Sequence, residues 1–320
     1  MSNGKKLLVM SAVTALSMTG QASALDDVSL RLHWLVNGST LAWYLGKERG
    51  YFEEAGINLT ISEGRGSVVA TQVVGSGAEQ FGTADGVSVI QSISRGMPIR
   101  AIMTLQDVGA LGVVFLKDSG IETLDDLQGR SVALTAGDSL TQQWPVVAAS
   151  NNLPEDAVSL VYMDAAAKPV SLMNRQVDAM LGTCIDHVLL IESNGHEAGC
   201  LRFADLGVAT VGITVLANNA VIERDPDLVQ RFVDAAVRSY EAYYEDPEAA
   251  LDAAVLSVPD LNRDVLRAQA EMIRLFYGDR PVGHFDPDDW TATVETMTAT
   301  GVLENPDHYT AYIRSEFVDN

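Results

Sequence analysis

The 320-residue chain carries 21 Lys and Arg against 43 Asp and Glu, a formal net charge of −22. No basic cluster lies beyond the first residues, which excludes nucleic acid and anionic membrane surfaces as partners. The length suits two domains of ordinary size, and acidity spread over helices reads as a solvated surface, not a metal site.

The N-terminus reads as a removable export signal. Lys5 and Lys6 precede an apolar run over residues 7–18, and Ala22-Ser23-Ala24 forms an A-x-A cleavage site. The run is too short for a membrane span, which needs roughly 20 residues. A mature chain starting at Leu25, soluble and exported, is expected. No later segment is long and apolar enough to cross a bilayer.

Residues 29–35 then read as a strand, 36–40 as a polar turn, and the next stretch as a helix carrying Trp43 and Tyr44. A second strand over 57–62 ends in the glycine turn Gly64-Arg65-Gly66-Ser67. This βαβ unit puts both polar turns on one rim, where ligands of open α/β sheets bind. The rhythm continues with helices over 67–74 and 87–95 and strands over 80–85 and 99–105.

A second series follows. Strands are expected over 112–116, 131–135, 158–163, 177–183 and 201–204, with an apolar strand over 211–217. Helices are expected over 123–127, 140–151, 168–175 and 185–194. From Asp225 onward the pattern becomes amphipathic helices over 226–245, 247–256, 263–277 and 287–300, most with proline near their starts. The reading is α/β: residues 25–110 and 213–320 form one lobe, and 111–212 a second lobe inserted into it.

Cys184 and Cys200 are expected to be free thiols. If residues 185–194 form a crossover helix between two parallel strands, the sulfurs lie a strand length apart, roughly 17–20 Å. A disulfide needs Cα atoms within about 7 Å.

Several blocks recur in a known order: Trp34, Gly50-Tyr51-Phe52 with Gly56-Ile57, Gly75 with Phe81-Gly82, and Arg95-Gly96-Met97-Pro98-Ile99. Thr123-Leu124-Asp125-Asp126-Leu127-Gln128-Gly129-Arg130-Ser131-Val132 and Asn174-Arg175-Gln176-Val177-Asp178-Ala179 follow. Together they resemble solute-binding proteins of ABC importers, in the thiamine-pyrimidine-precursor, taurine, alkanesulfonate and nitrate binding (NMT1/THI5-like) branch. The resemblance implies a two-lobed periplasmic-binding-protein fold of type II, each lobe a mostly parallel sheet flanked by helices. It also implies a small-molecule ligand, an inner-membrane permease as partner, and no cofactor; a monomer is expected.

Within that branch, residues 32–44 are similar to the opening of the thiamine-pyrimidine group. Trp34 and Asn37 match, and His33 stands where that group has aspartate. The group includes enzymes that make the pyrimidine from their own histidine with a cysteine-rich iron motif. Here Thr40 takes the histidine's place and Gly182-Thr183-Cys184-Ile185-Asp186 holds a single cysteine, so binding is expected rather than synthesis.

The candidate ligand-binding residues are Trp34, Asn37, Thr40, Tyr44, Arg65, Asp85, Asp138, Ser139, Trp144 and Asp186. Trp34 either stacks on a planar ligand or fills the core. Asn37, Ser39 and Thr40 either hydrogen-bond the ligand or build the turn, and Tyr44 either reaches the cleft or packs. Arg65, between glycines at a helix start, either recognises an anion or pairs with Glu63. Asp85 either accepts from amino groups or caps the next helix. Thr135, Asp138 and Ser139 occupy one strand-to-helix turn and Asp186 and His187 another. Cys184, Asp186 and His187 are sequence neighbours whose side chains diverge on a helix, so no metal is expected. The ligand is expected to be a thiamine-precursor-like pyrimidine or related heterocycle, or alternatively a sulfonate, nitrate or aromatic carboxylate if Arg65 faces the cleft.

Overall fold

The computed structural model describes residue 1 and residues 24–154, 156–273 and 280–318. The export signal read at residues 1–24 therefore falls almost wholly outside the described residues.

In chain order, β1 (Asp26–Arg31), α1 (Leu41–Glu48), α2 (Tyr51–Glu54), β2 (Ile57–Ser62), α3 (Ser67–Gly75), β3 (Phe81–Asp85), α4 (Gly86–Ser94) and β4 (Ile99–Thr104) open the fold. The second series comprises β5 (Leu111–Leu116), β6 (Ser131–Leu134), α5 (Ser139–Ser150), β7 (Ser159–Tyr162), α6 (Ala167–Met173), β8 (Ala179–Thr183), α7 (Asp186–Ser193) and β9 (Ala198–Arg202). Then come β10 (Ile213–Asn218), α8 (Asn219–Arg224), α9 (Pro226–Glu245), α10 (Pro247–Ser257), α11 (Arg263–Ile273) and α12 (Pro287–Ala299). The part of the expected 263–277 helix beyond residue 273 lies outside the described residues.

The strands form two five-stranded sheets, ordered β2-β1-β3-β10-β4 and β7-β6-β8-β5-β9. In each, four strands run one way and one is reversed: β10 is antiparallel to β3 and β4, and β5 to β8 and β9. This is the α/β two-lobed periplasmic-binding-protein architecture.

Alternation along the strands gives each sheet two buried faces. In β10, Val215 and Ala217 join the core under α1 and α9, where Phe232 stacks on Phe81 at 3.9 Å and Trp43 packs with Phe232 and Tyr240. Leu216 faces the opposite core with Trp290 and Val89. In β5, Val113 and Phe115 pack on Trp144 and Val147, while Val114 and Leu116 meet Leu172 and Ile191.

The two crossings between sheets run side by side. Gly109 N donates to Thr210 O at 3.0 Å, Gly212 N to Gln106 O at 3.0 Å, and Leu105 N to Ile213 O at 2.8 Å.

One expectation is overturned: Cys184 and Cys200 form a disulfide, with Cα atoms 5.4 Å apart. Two features defeat the strand-length separation. β9 starts at Ala198, not 201, so Cys200 sits mid-strand; and beyond Thr183 the chain turns over the face of β5, with Cys184 N bonded to Ala110 O. Gly112 makes room there. A Cβ on it would lie 2.7 and 2.8 Å from the two sulfurs.

Candidate functional site

Between the carboxyl ends of the two sheets lies a cavity of about 70 Å³. The first sheet contributes His33, Trp34, Asn37, Ser39, Ser67 and Asp85 to its walls, and the second contributes Asp138, Ser139, Lys168, Thr183, Asp186 and His187. Gln106, Thr210 and Gly212 from the crossings close the back.

The two sides already touch. Gly66, with φ +124°, presses its backbone on Gly137; a Cβ there would sit 2.5 Å from Gly137 O, so glycine permits this approach. Gln143 Nε2 donates to Asp85 Oδ1 at 3.4 Å, and Gln269 Nε2 reaches Asp186 O at 3.4 Å while its Oε1 accepts from Gly38 N at 2.9 Å.

Lys168 is fully buried. Its Nζ donates to Asp138 Oδ2 at 3.3 Å and Leu181 O at 2.9 Å, and stands 5.4 Å from the Trp34 ring centre. Burial pulls its pKa down and the Asp138 charge opposes that. The two acidic helix caps are occupied: Asp85 Oδ1 accepts from Ser88 N at 3.0 Å and Asp138 Oδ1 from Thr141 N at 2.8 Å. Burial pushes Asp85 up, against the Ser88 N–H and neighbouring serine hydroxyls. It pushes Asp186 up to about 6, against the Thr183 hydroxyl, which donates to Asp186 Oδ2 at 3.0 Å.

Both histidines are held neutral. Burial lowers His33 to about 4, with its Nδ1 3.0 Å from Thr83 Oγ1. Burial and then the Lys168 charge lower His187 to about 3. His187 Nδ1 accepts from Thr183 N at 2.9 Å, which requires the lone pair on that nitrogen.

Of the residues singled out from sequence, Trp34, Asn37, Ser39, Asp85, Asp138, Ser139 and Asp186 line the cavity. Thr40, Tyr44, Arg65 and Trp144 do not. Thr40 and Asn37 exchange hydrogen bonds that tie the turn, with Asn37 N donating to Thr40 Oγ1 at 3.1 Å and Thr40 Oγ1 to Asn37 O at 3.0 Å. Asn37 Oδ1 is itself taken by Ser39 N and Oγ. Tyr44 is buried in the core, its pKa raised to about 12 by burial and the Glu63 charge. Trp144 packs against the second sheet, and Arg65 is exposed.

Lys168 escaped the sequence reading because one lysine in an amphipathic helix looks like a surface residue. Its first-turn position after a strand, among Ala165, Ala166, Ala167 and Pro169, was the available signal. His33 and His187 stood beside recognised positions, but their burial depends on long-range packing.

The curated riboflavin-binding protein RibY of Chloroflexus aurantiacus is 23% identical over 323 residues, covering 96% of this chain and 90% of that protein. The formylaminopyrimidine-binding protein of Halalkalibacterium halodurans is 24% identical over 294 residues, covering 88% of each. Among solved structures, the alkanesulfonate-binding protein SsuA from Xanthomonas axonopodis pv. citri bound to MOPS superposes with a TM-score of 0.72 at 15% identity, covering 90% of this chain and 98% of that one; this likeness speaks for the fold. The family model described as NMT1/THI5 like matches residues 37–250. Since that match spans well over half of the sequence and takes in strands of both sheets, the chain belongs to the NMT1/THI5-like family.

Proposed function

We propose that the protein is the periplasmic solute receptor of an ABC importer, which closes two lobes on a small planar nitrogen heterocycle, such as a thiamine-precursor pyrimidine, and delivers it to an inner-membrane permease. The carrying observation is the cavity itself: it sits between the sheets, takes its walls from both, and presents the half-buried Trp34 as a stacking surface. The paired crossings near residues 105–110 and 208–213 supply a hinge, with lobe boundaries near 110 and 212.

The charge balance favours a heterocycle over an anion. Arg65 is exposed and outside the lining. Lys168 is already paired with Asp138, and carboxylates cap α4 and α5, where an anion would otherwise settle. Against synthesis, Thr40 is tied into a turn and Cys184 is consumed in a disulfide, which removes the single cysteine of the 182–186 segment from any iron motif.

Thermal melting with hydroxymethyl-aminopyrimidine, formylaminopyrimidine, riboflavin, taurine, an alkanesulfonate and nitrate tests the reading. One heterocycle class should raise the midpoint, by about 2.7 kcal/mol of stability at a hundredfold excess over Kd. A shift with sulfonate or nitrate alone would discard the heterocycle assignment.

A further inference from the structure

A buried polar atom without a partner is costly, so native proteins pair nearly all of them. Among the described residues lining the cavity, two break this rule: Asp85 Oδ2 and Asp186 Oδ1 are buried and make no hydrogen bond. Asp85 is 2% exposed. Its other oxygen is engaged by Ser88 N and Gln143 Nε2, and the second oxygen of Asp186 by the Thr183 hydroxyl. Each carboxylate thus has one oxygen engaged and one acceptor left over. One stands at the end of β3 in the first sheet and the other at the start of α7 in the second.

Resting on the receptor reading above, we infer that Asp85 and Asp186 form a two-sided acceptor clamp that selects heterocycles carrying N–H donors on two separate edges, as amino-substituted or ring-protonated pyrimidines do. Donors on one edge satisfy the acceptor of one lobe and leave the other empty. Donors on two edges satisfy both, and so couple recognition to closure. The remaining charges agree. Lys168 and Asp138 compensate each other, and the two lining histidines are neutral at pH 7. Among the described lining residues no uncompensated cation remains to receive a sulfonate or carboxylate.

Titration calorimetry at pH 7 on the full chain, with 2,4-diaminopyrimidine, 4-aminopyrimidine, pyrimidine and benzenesulfonate as probes, tests the clamp. Affinity should fall in that order. Asp85→Asn and Asp186→Asn should each weaken 2,4-diaminopyrimidine by about 10- to 100-fold, the size of a lost charge-assisted bond. Binding of unsubstituted pyrimidine, which offers no N–H donor, should weaken less than that of the diamino probe. Asn retains the helix cap at position 85, and melting midpoints of the unliganded variants that do not fall below the wild type separate loss of contact from loss of fold. If the wild type binds a heterocycle but both variants bind the diamino probe as tightly, the clamp is wrong and the receptor reading stands. If benzenesulfonate binds and no pyrimidine does, both readings fall.

Discussion

The ammonium of Lys168, rooted in the second sheet, stands 5.4 Å from the ring centre of Trp34, rooted in the first. A cation over an aromatic face attracts it through the ring quadrupole, more strongly when both are withdrawn from water. The same ammonium neutralises Asp138, so one buried charge both steadies its own lobe and meets the facing wall.

Replacing Lys168 with Met leaves Asp138 buried without its counter-ion. A cost of about 3–5 kcal/mol is expected for breaking one side of a buried pair, read as a lower urea midpoint at pH 7. Adding Asp138→Asn should recover part of the loss, because the remaining charge is removed while the α5 cap is kept. A double variant as unstable as the single one would show that Lys168 acts through packing alone.

Trp34 is the tryptophan that lines the cavity; Trp43, Trp144 and Trp290 are core residues. Ligand binding should therefore change intrinsic fluorescence through Trp34. In Trp34→Phe that change should vanish, and Trp34→Ala should cost about tenfold or more in affinity, since aromatic pairing is worth about 0.5–1.5 kcal/mol beyond area burial. A full fluorescence response in Trp34→Phe would move the ligand elsewhere.

The Cys184–Cys200 disulfide closes a loop with a sequence separation of 16. Removing it as Cys184→Ser with Cys200→Ser should cost about 3 kcal/mol by loop entropy. Because Thr183, Ile185 and Asp186 line the cavity, ligand affinity should fall with it. Oxidised protein should resist alkylation until reduced. Uptake of two alkyl groups by folded, unreduced protein would contradict the bridge. Gly112→Ala should also destabilise, because its methyl would press on both sulfurs and on Leu201 O at 2.5 Å.

Stability should fall with acid. His187 and His33 have folded pKa values near 3 and 4, below the ordinary 6.5, so the unfolded chain binds more protons as pH drops from about 6.5 and unfolding gains. Asp186 acts oppositely: its pKa, raised to about 6 from 3.8, gives stability that is present at low pH and lost as pH rises between about 4 and 6. Asp85, likewise pushed up by burial, acts in the same direction as Asp186. The melting midpoint should drop between pH 6.5 and 4, less steeply in His187→Gln and more steeply in Asp186→Asn. A pH-independent midpoint would mean that the imidazoles are solvated.

Local chemistry alone determined much of this chain. β2 over residues 57–62 and α9 over 226–245 have the bounds that apolar patterning, Asp225 as cap and Pro226 at the helix start dictate, because those signals act within a few residues. The rim carrying Trp34, Asn37, Asp85, Asp138 and Asp186 followed from the rule that strand ends face the ligand. Tertiary structure decided what depends on partners far along the chain. Reversal of β5 and β10 within their sheets leaves no trace in a period-2 pattern. Burial of Lys168 against Asp138, exposure of Arg65, withdrawal of Tyr44 and Trp144 into cores, and closure of Cys184 on Cys200 across Gly112 all turn on which surfaces meet. A side chain's type sets what it can do, but its neighbours in space set whether water, a counter-charge or a ligand receives it.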